Sequence, residues 1–135
     1  MKDVEEKVYN PDTGEELHRD IRPVEFEFKG KKFVVKMSGW FPAKGDDGIF
    51  TKEDRKAYNK ALNKIKAEVE KLMSPEEIRA TRKQLQLTQR QAGEILGGGK
   101  NAFQKYESGE ILPSKAISNL LKVLSINPKL MEVIK

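Results

Sequence analysis

The chain has 135 residues, enough for one ordinary domain or two small ones, and at 37% hydrophobic and 35% charged it is polar for a single compact core. It has no cysteine, which excludes disulfides and thiolate zinc sites and fits a reducing cytoplasm; no apolar run approaches the roughly 20 residues of a membrane span, and the charged start MKDVEEKVYN has no apolar signal core. The net charge of +5 is polarised: residues 74–135 hold 10 basic and 6 acidic residues, whereas the first 28 hold 4 and 9, and a basic end suits a polyanionic partner.

Residues 1–23 show no clear hydrophobic period, but Asn10-Pro11-Asp12-Thr13-Gly14 is a strong turn cluster. Val24, Phe26 and Phe28 alternate with Glu25 and Glu27, as in a strand with one buried face. Lys29-Gly30-Lys31 can turn the chain into a return strand at Phe33-Val34-Val35, giving a β-hairpin. A second loop follows at Pro42–Gly48. Thr51, with Asp54 three residues on, caps a helix expected from Lys52 to Met73. Its stripe of Tyr58, Leu62, Ile65, Val69 and Leu72 reads as packing against the hairpin.

Ser74-Pro75-Glu76-Glu77 combines a capping Ser, Pro at the first helical position and Glu at the third. This restart is taken as the boundary between an N-terminal module, 1–73, and a C-terminal domain, 74–135, with few contacts across it. The C-terminal part is expected to hold five helices, near 75–86, 89–96, 100–107, 114–124 and 128–134. The fold class is thus an α+β module (β-hairpin plus long helix) followed by an all-α helix-turn-helix domain.

The helix-turn-helix lies at Leu87–Gly109. Thr88 and Gln91 form a capping box whose amide end can meet a DNA phosphate, with Gln89 and Arg90 beside it. Ala92 and Gly93 are small, which allows two helices to cross closely. Gly97-Gly98-Gly99 permits the positive φ angles of a tight reversal. In the next helix Ala102, Phe103 and Tyr106 point inward, while Asn101, Lys105 and Ser108 point outward, with Gln104 at the edge and Lys100 at the start. Asn101 and Lys105 lie one turn apart, and Asn suits adenine as Lys suits guanine in the major groove. The base-reading residues are therefore Asn101 and Lys105, with Thr88, Gln89, Arg90, Lys100 and Gln104 on the backbone.

The pattern Leu87-Thr88-Gln89, Ala92, Tyr106-Glu107, Gly109 and Pro113 resembles Xre/Cro-type helix-turn-helix domains. Gly97–Glu107 is more specifically similar to the recognition segment of MqsA-type antitoxins, which often carry Arg where Lys105 stands. That resemblance implies an N-terminal zinc module with two Cys-x-x-Cys pairs. Asn10, Thr13, Pro42 and Gly45 stand where those cysteines would be, so no metal or other cofactor is expected. It further implies binding of a toxin, typically a small basic mRNA-cleaving ribonuclease, by the N-terminal module. The C-terminal domain would dimerise and repress the operon at a palindromic operator. From their positions, Leu130, Met131 and Ile134, with Leu120, Leu121 and Leu124, offer a seam for that dimer, an intramolecular core, or both. The chain is then the antitoxin of a type II pair in the cytoplasm. The alternative is a stand-alone Xre-family repressor with a structural or ligand-sensing N-terminal module. No enzyme is expected: phosphate-loop, dinucleotide and metal-helix motifs are all missing, and His18 is the lone histidine.

Overall fold

The structure, a computed structural model, describes residues 7–135. Strands β1 (Val8–Tyr9), β2 (Glu16–Phe28) and β3 (Lys31–Pro42) come first. They are followed by helices α1 (Lys52–Glu70), α2 (Pro75–Gln84), α3 (Gln89–Leu96), α4 (Ala102–Ser108), α5 (Lys115–Ile126) and α6 (Met131–Ile134), with a 3-10 turn at Pro128–Leu130. This is the expected α+β arrangement. The chain divides into two compact units, one ending at Ala61 and the other beginning at Leu62, so the division falls within α1.

In the first unit the strands pair antiparallel in the order β1-β2-β3, with Phe28 opposite Lys31. Lys29 and Gly30 between them have φ of +50° and +78°, which a two-residue turn matched to strand twist requires. Both long strands exceed the expected 24–28 and 33–35. β3 continues because Val35, Met37 and Phe41 keep alternating onto a buried face. β2 begins at Glu16 without any apolar period: Leu17 is buried, but arginines rather than further apolar residues follow it and make long-range contacts. Arg19 donates from its two Nη atoms to both carboxylate oxygens of Asp54, at 2.9 and 2.8 Å, and Arg22 reaches the loop after β3.

Asp54 also completes the expected cap of α1. The Thr51 Oγ1 accepts the Asp54 amide and Asp54 Oδ2 accepts the Thr51 amide, both at 3.0 Å. The Arg19 guanidinium holds the buried Asp54 carboxyl well below the usual carboxylate range, with the Thr51 bonds adding to it and burial opposing. A depressed carboxylate contributes stability above its unfolded pKa of about 3.9 and loses it as pH falls toward the folded value. The first unit should therefore weaken progressively below about pH 5. Asp54→Asn should cost roughly 1–3 kcal/mol at neutral pH and flatten that acid dependence. Thermal unfolding followed by fluorescence of Trp40, the single tryptophan, checks both effects.

The second unit starts on the last turns of α1. That helix ends at Glu70 rather than Met73: Lys71 turns to φ +57°, and the Leu72 amide reaches back to the Ala67 carbonyl at 2.9 Å. The capping box at Ser74 is present, with Ser74 Oγ accepting the Glu77 amide and Glu77 accepting the Ser74 amide, both at 3.1 Å. The expectation of few contacts across Ser74 does not hold. Met73 is buried in the C-terminal core and its amide donates to the buried Ser118 Oγ at 2.9 Å. Lys115 Nζ donates to the Glu70 carbonyl at 2.7 Å, and Lys122 Nζ to the Lys71 carbonyl. Carbonyls at a helix C-terminus need such cationic donors. The apolar stripe of α1 is divided as well: Tyr58 lies in the first unit, whereas Leu62, Ile65, Val69 and Leu72 lie in the second, so it does not pack as a whole against the hairpin.

The core of the second unit centres on Ile78, Ala92, Phe103, Leu121 and Leu124, none of which keeps any exposed surface. The expected dimer seam is accordingly corrected. Leu121, Leu124 and Met131 are core residues, and Leu120 and Ile134 are partly buried against them. The apolar side chains left on the surface of this region are Val123, Ile126, Leu130 and Val133.

Candidate nucleic-acid interface

The local sequence builds this site from its caps inward. α3 occupies Gln89–Leu96 because both ends are fixed chemically: Thr88 Oγ1 accepts the Gln91 amide at 3.1 Å, Gln91 Oε1 accepts the Thr88 amide at 2.9 Å, and Gly97 ends the helix. Gly97, Gly98 and Gly99 then adopt φ of +115°, +98° and +92°, three successive conformations that side-chain-bearing residues rarely reach. The amides of Gly97 and Gly99 both donate to the Gly93 carbonyl, at 3.1 and 3.2 Å, which closes the reversal. Gly93 serves this turn rather than a helix crossing: a Cβ there would sit 1.8 Å from the Gly99 carbonyl oxygen.

α4 begins at Ala102, two residues later than expected, because the glycine conformations persist through Gly99. Asn101 therefore stands at the cap position, and its side chain makes no capping bond. Phe103 and Tyr106 anchor the helix inward, edge to face at 5.4 Å. Asn101, Gln104 and Lys105 are exposed, as are Lys100 and Thr88, while Gln89 is half-buried. Asn101 and Lys105 thus share the outer surface at the start of α4. Arg90 is exposed and its Nε donates to Glu94 at 3.1 Å, a surface pair weak enough to exchange for another anion. Gly109 ends the helix at φ +82°.

Two supports were not read from the sequence. Arg82 on α2 donates from Nε and Nη2 to the two Glu107 carboxylate oxygens of α4, both at 2.9 Å, and from Nη1 to the Leu87 carbonyl at 2.9 Å, one residue before the α3 cap. One largely buried guanidinium thereby ties α2, α4 and the entry to α3. Asn63 on α1 donates from Nδ2 to the carbonyls of Gly109 and Glu110, at 2.9 and 3.0 Å, fixing the segment that follows α4. Glu107 belongs to the Tyr-Glu pair of the motif, so its place was marked but not its partner; nothing in the pattern of α1 marks Asn63.

Comparison with known proteins bears on both units. The family profile for the antitoxin component of bacterial toxin-antitoxin systems, MqsA, matches residues 11–135. Antitoxin MqsA of Escherichia coli (strain K12) is 35% identical over 122 residues, which covers 89% of this chain and 93% of that protein. The match runs from within the Asn10–Gly14 turn through Gly97–Glu107 to the last residue. The chain belongs to the MqsA family of antitoxins.

Proposed function

We propose that this antitoxin belongs to a type II pair, represses its own operon by major-groove binding, and holds a protein toxin, an mRNA-cleaving ribonuclease, on its N-terminal module, the unit that ends at Ala61. The observation that carries the DNA reading is the short α4, fixed inwardly by Phe103, Tyr106 and the Arg82–Glu107 pair, with Asn101 and Lys105 presented together on its outer surface. Asn101 reads adenine and Lys105 reads guanine, while Thr88, Gln89, Arg90, Lys100 and Gln104 contact the backbone. A helix of this length covers few base pairs, so two chains bind half-sites about 34 Å apart. The exposed row of Val123, Ile126, Leu130 and Val133 supports a homodimer through domain 74–135. The antitoxin role involves no catalysis.

Charge and exposure support toxin binding by the first unit. Its opening 28 residues are net acidic, which suits a basic partner. Ile21 and Val34 are exposed on the hairpin, and beyond Leu17 the outer edge of β2 has no paired strand among the described residues.

The test is fluorescence anisotropy with duplexes from the chain's own upstream region. Asn101→Ala should lose roughly 1–3 kcal/mol of affinity and relax specificity at one position. Arg90→Ala should weaken all duplexes about equally and reduce the salt slope by about one. Binding should saturate at two chains per duplex. Wild-type affinity in Asn101→Ala, or one chain per duplex, contradicts the reading.

A further inference from the structure

Two loops meet one end of the sheet, because Val8 pairs with Leu17 and Leu17 with Pro42. They are the Asn10–Gly14 turn and the segment from Pro42 to Gly45, where the family resemblance places zinc-binding cysteine pairs. The residues present do not fit zinc. Pro42 and Gly45 have no donor side chain, Asn10 and Thr13 offer only neutral oxygens, and structural zinc takes four N or S donors as a rule. Oxygens at these positions are engaged within the protein as hydrogen-bond acceptors. Asn10 Oδ1 accepts the amides of Asp12 and Thr13, at 2.8 and 3.4 Å. The carbonyls of Pro42 and Gly45 both accept from Arg22.

We infer that Arg22 is the internal cross-link of this end of the sheet, fastening by hydrogen bonds the loop that a metal would otherwise hold. Its Nη2 donates to the Pro42 carbonyl at 2.8 Å and its Nη1 to the Gly45 carbonyl, so one rigid plane spans the two positions of the missing ligand pair. Its Nε donates to Asp20 Oδ2 at 3.1 Å, and Asp20 Oδ1 accepts the Ile21 amide at 2.8 Å, which anchors the guanidinium to β2 itself. The Phe41 ring lies 4.4 Å below the guanidinium carbon and sets its tilt. Only 24% of the Arg22 side chain is exposed. The far side of the loop is closed separately, by the paired bonds between Trp40 and Ile49 at 2.9 and 2.8 Å. Arg22 closes the near side. Lysine cannot replace it, because an ammonium is a point donor and has no plane to lay on Phe41 while reaching two carbonyls. The consequence is a toxin-binding module whose shape does not depend on zinc supply.

Hydrogen exchange by mass spectrometry on the full chain tests this, with the C-terminal unit as an internal reference. Arg22→Lys and Arg22→Ala should accelerate amide exchange across residues 42–50 by at least about tenfold, leaving α2 to α5 unchanged. Wild-type protection of the same segment should be equal in EDTA and in added zinc. Arg22→Lys decides the matter if Arg22→Ala opens the whole sheet, since it keeps the charge and most of the bulk. Unchanged exchange at 42–50 in Arg22→Lys, or faster wild-type exchange in EDTA, would overturn the assignment.

Discussion

Gly93→Ala should cost about 3 kcal/mol or more and abolish DNA binding with it. At an exposed helical position the same change would gain about 1 kcal/mol from helix propensity. Here the added methyl would lie 1.8 Å from the Gly99 carbonyl oxygen and 2.7 Å from its carbon. Those are backbone atoms, and they cannot rotate away. Gly99 is itself held by its bond to the Gly93 carbonyl, so relief requires opening the whole Gly97–Gly99 reversal. That reversal sets where α4 starts and therefore where Asn101 points. Gly99→Ala is the informative comparison: a Cβ there meets nothing within 4 Å, so only the strain of φ +92° opposes it. It should be milder, at about 1–2 kcal/mol. Chemical denaturation of both variants, with operator binding measured on the folded fraction, checks the order.

Arg82→Ala is expected to be comparably damaging, at about 3–5 kcal/mol. The cost is less the loss of attraction than what stays behind, because the Glu107 side chain is 6% exposed and would be a buried carboxylate without its counter-ion. The Leu87 carbonyl would lose its donor as well. Replacing both members by apolar residues, as in Arg82→Met with Glu107→Leu, should recover much of the stability. The double variant separates a requirement for charge from a requirement for packing. Urea denaturation of the two single variants and the double variant gives the coupling directly, and additive costs would contradict a paired role.

How far the sequence carries differs along the chain for physical reasons. α3 is legible to the residue because its signals are local: Thr88 and Gln91 at one end, glycine at the other. The cap at Ser74 and the hairpin turn at Lys29-Gly30 are legible for the same reason. Legibility fails where the deciding contact is distant in sequence. Arg82 and Glu107 are 25 positions apart, and Arg19 and Asp54 are 35 apart, so no local window contains either pair. The first half of β2 is hidden because, after the buried Leu17, its long-range side-chain contacts come from arginines and leave no alternating hydropathy to read. The end of α1 differs from its sequence pattern in partner as well as in length. Its apolar stripe shows that it packs, but periodicity carries no information about which unit receives it.

In the proposed function one chain serves two partners through separate surfaces, a toxin through the first unit and DNA through α4. Calorimetric titration of the full-length protein and its Asn101→Ala variant tests this, using a duplex from the chain's own upstream region and, separately, the protein product of the adjacent gene. The wild type should bind both, and Asn101→Ala should bind the toxin unchanged while losing about 1–3 kcal/mol on the operator. If Asn101→Ala loses toxin affinity along with DNA affinity, or binds the operator as tightly as the wild type, the account is contradicted.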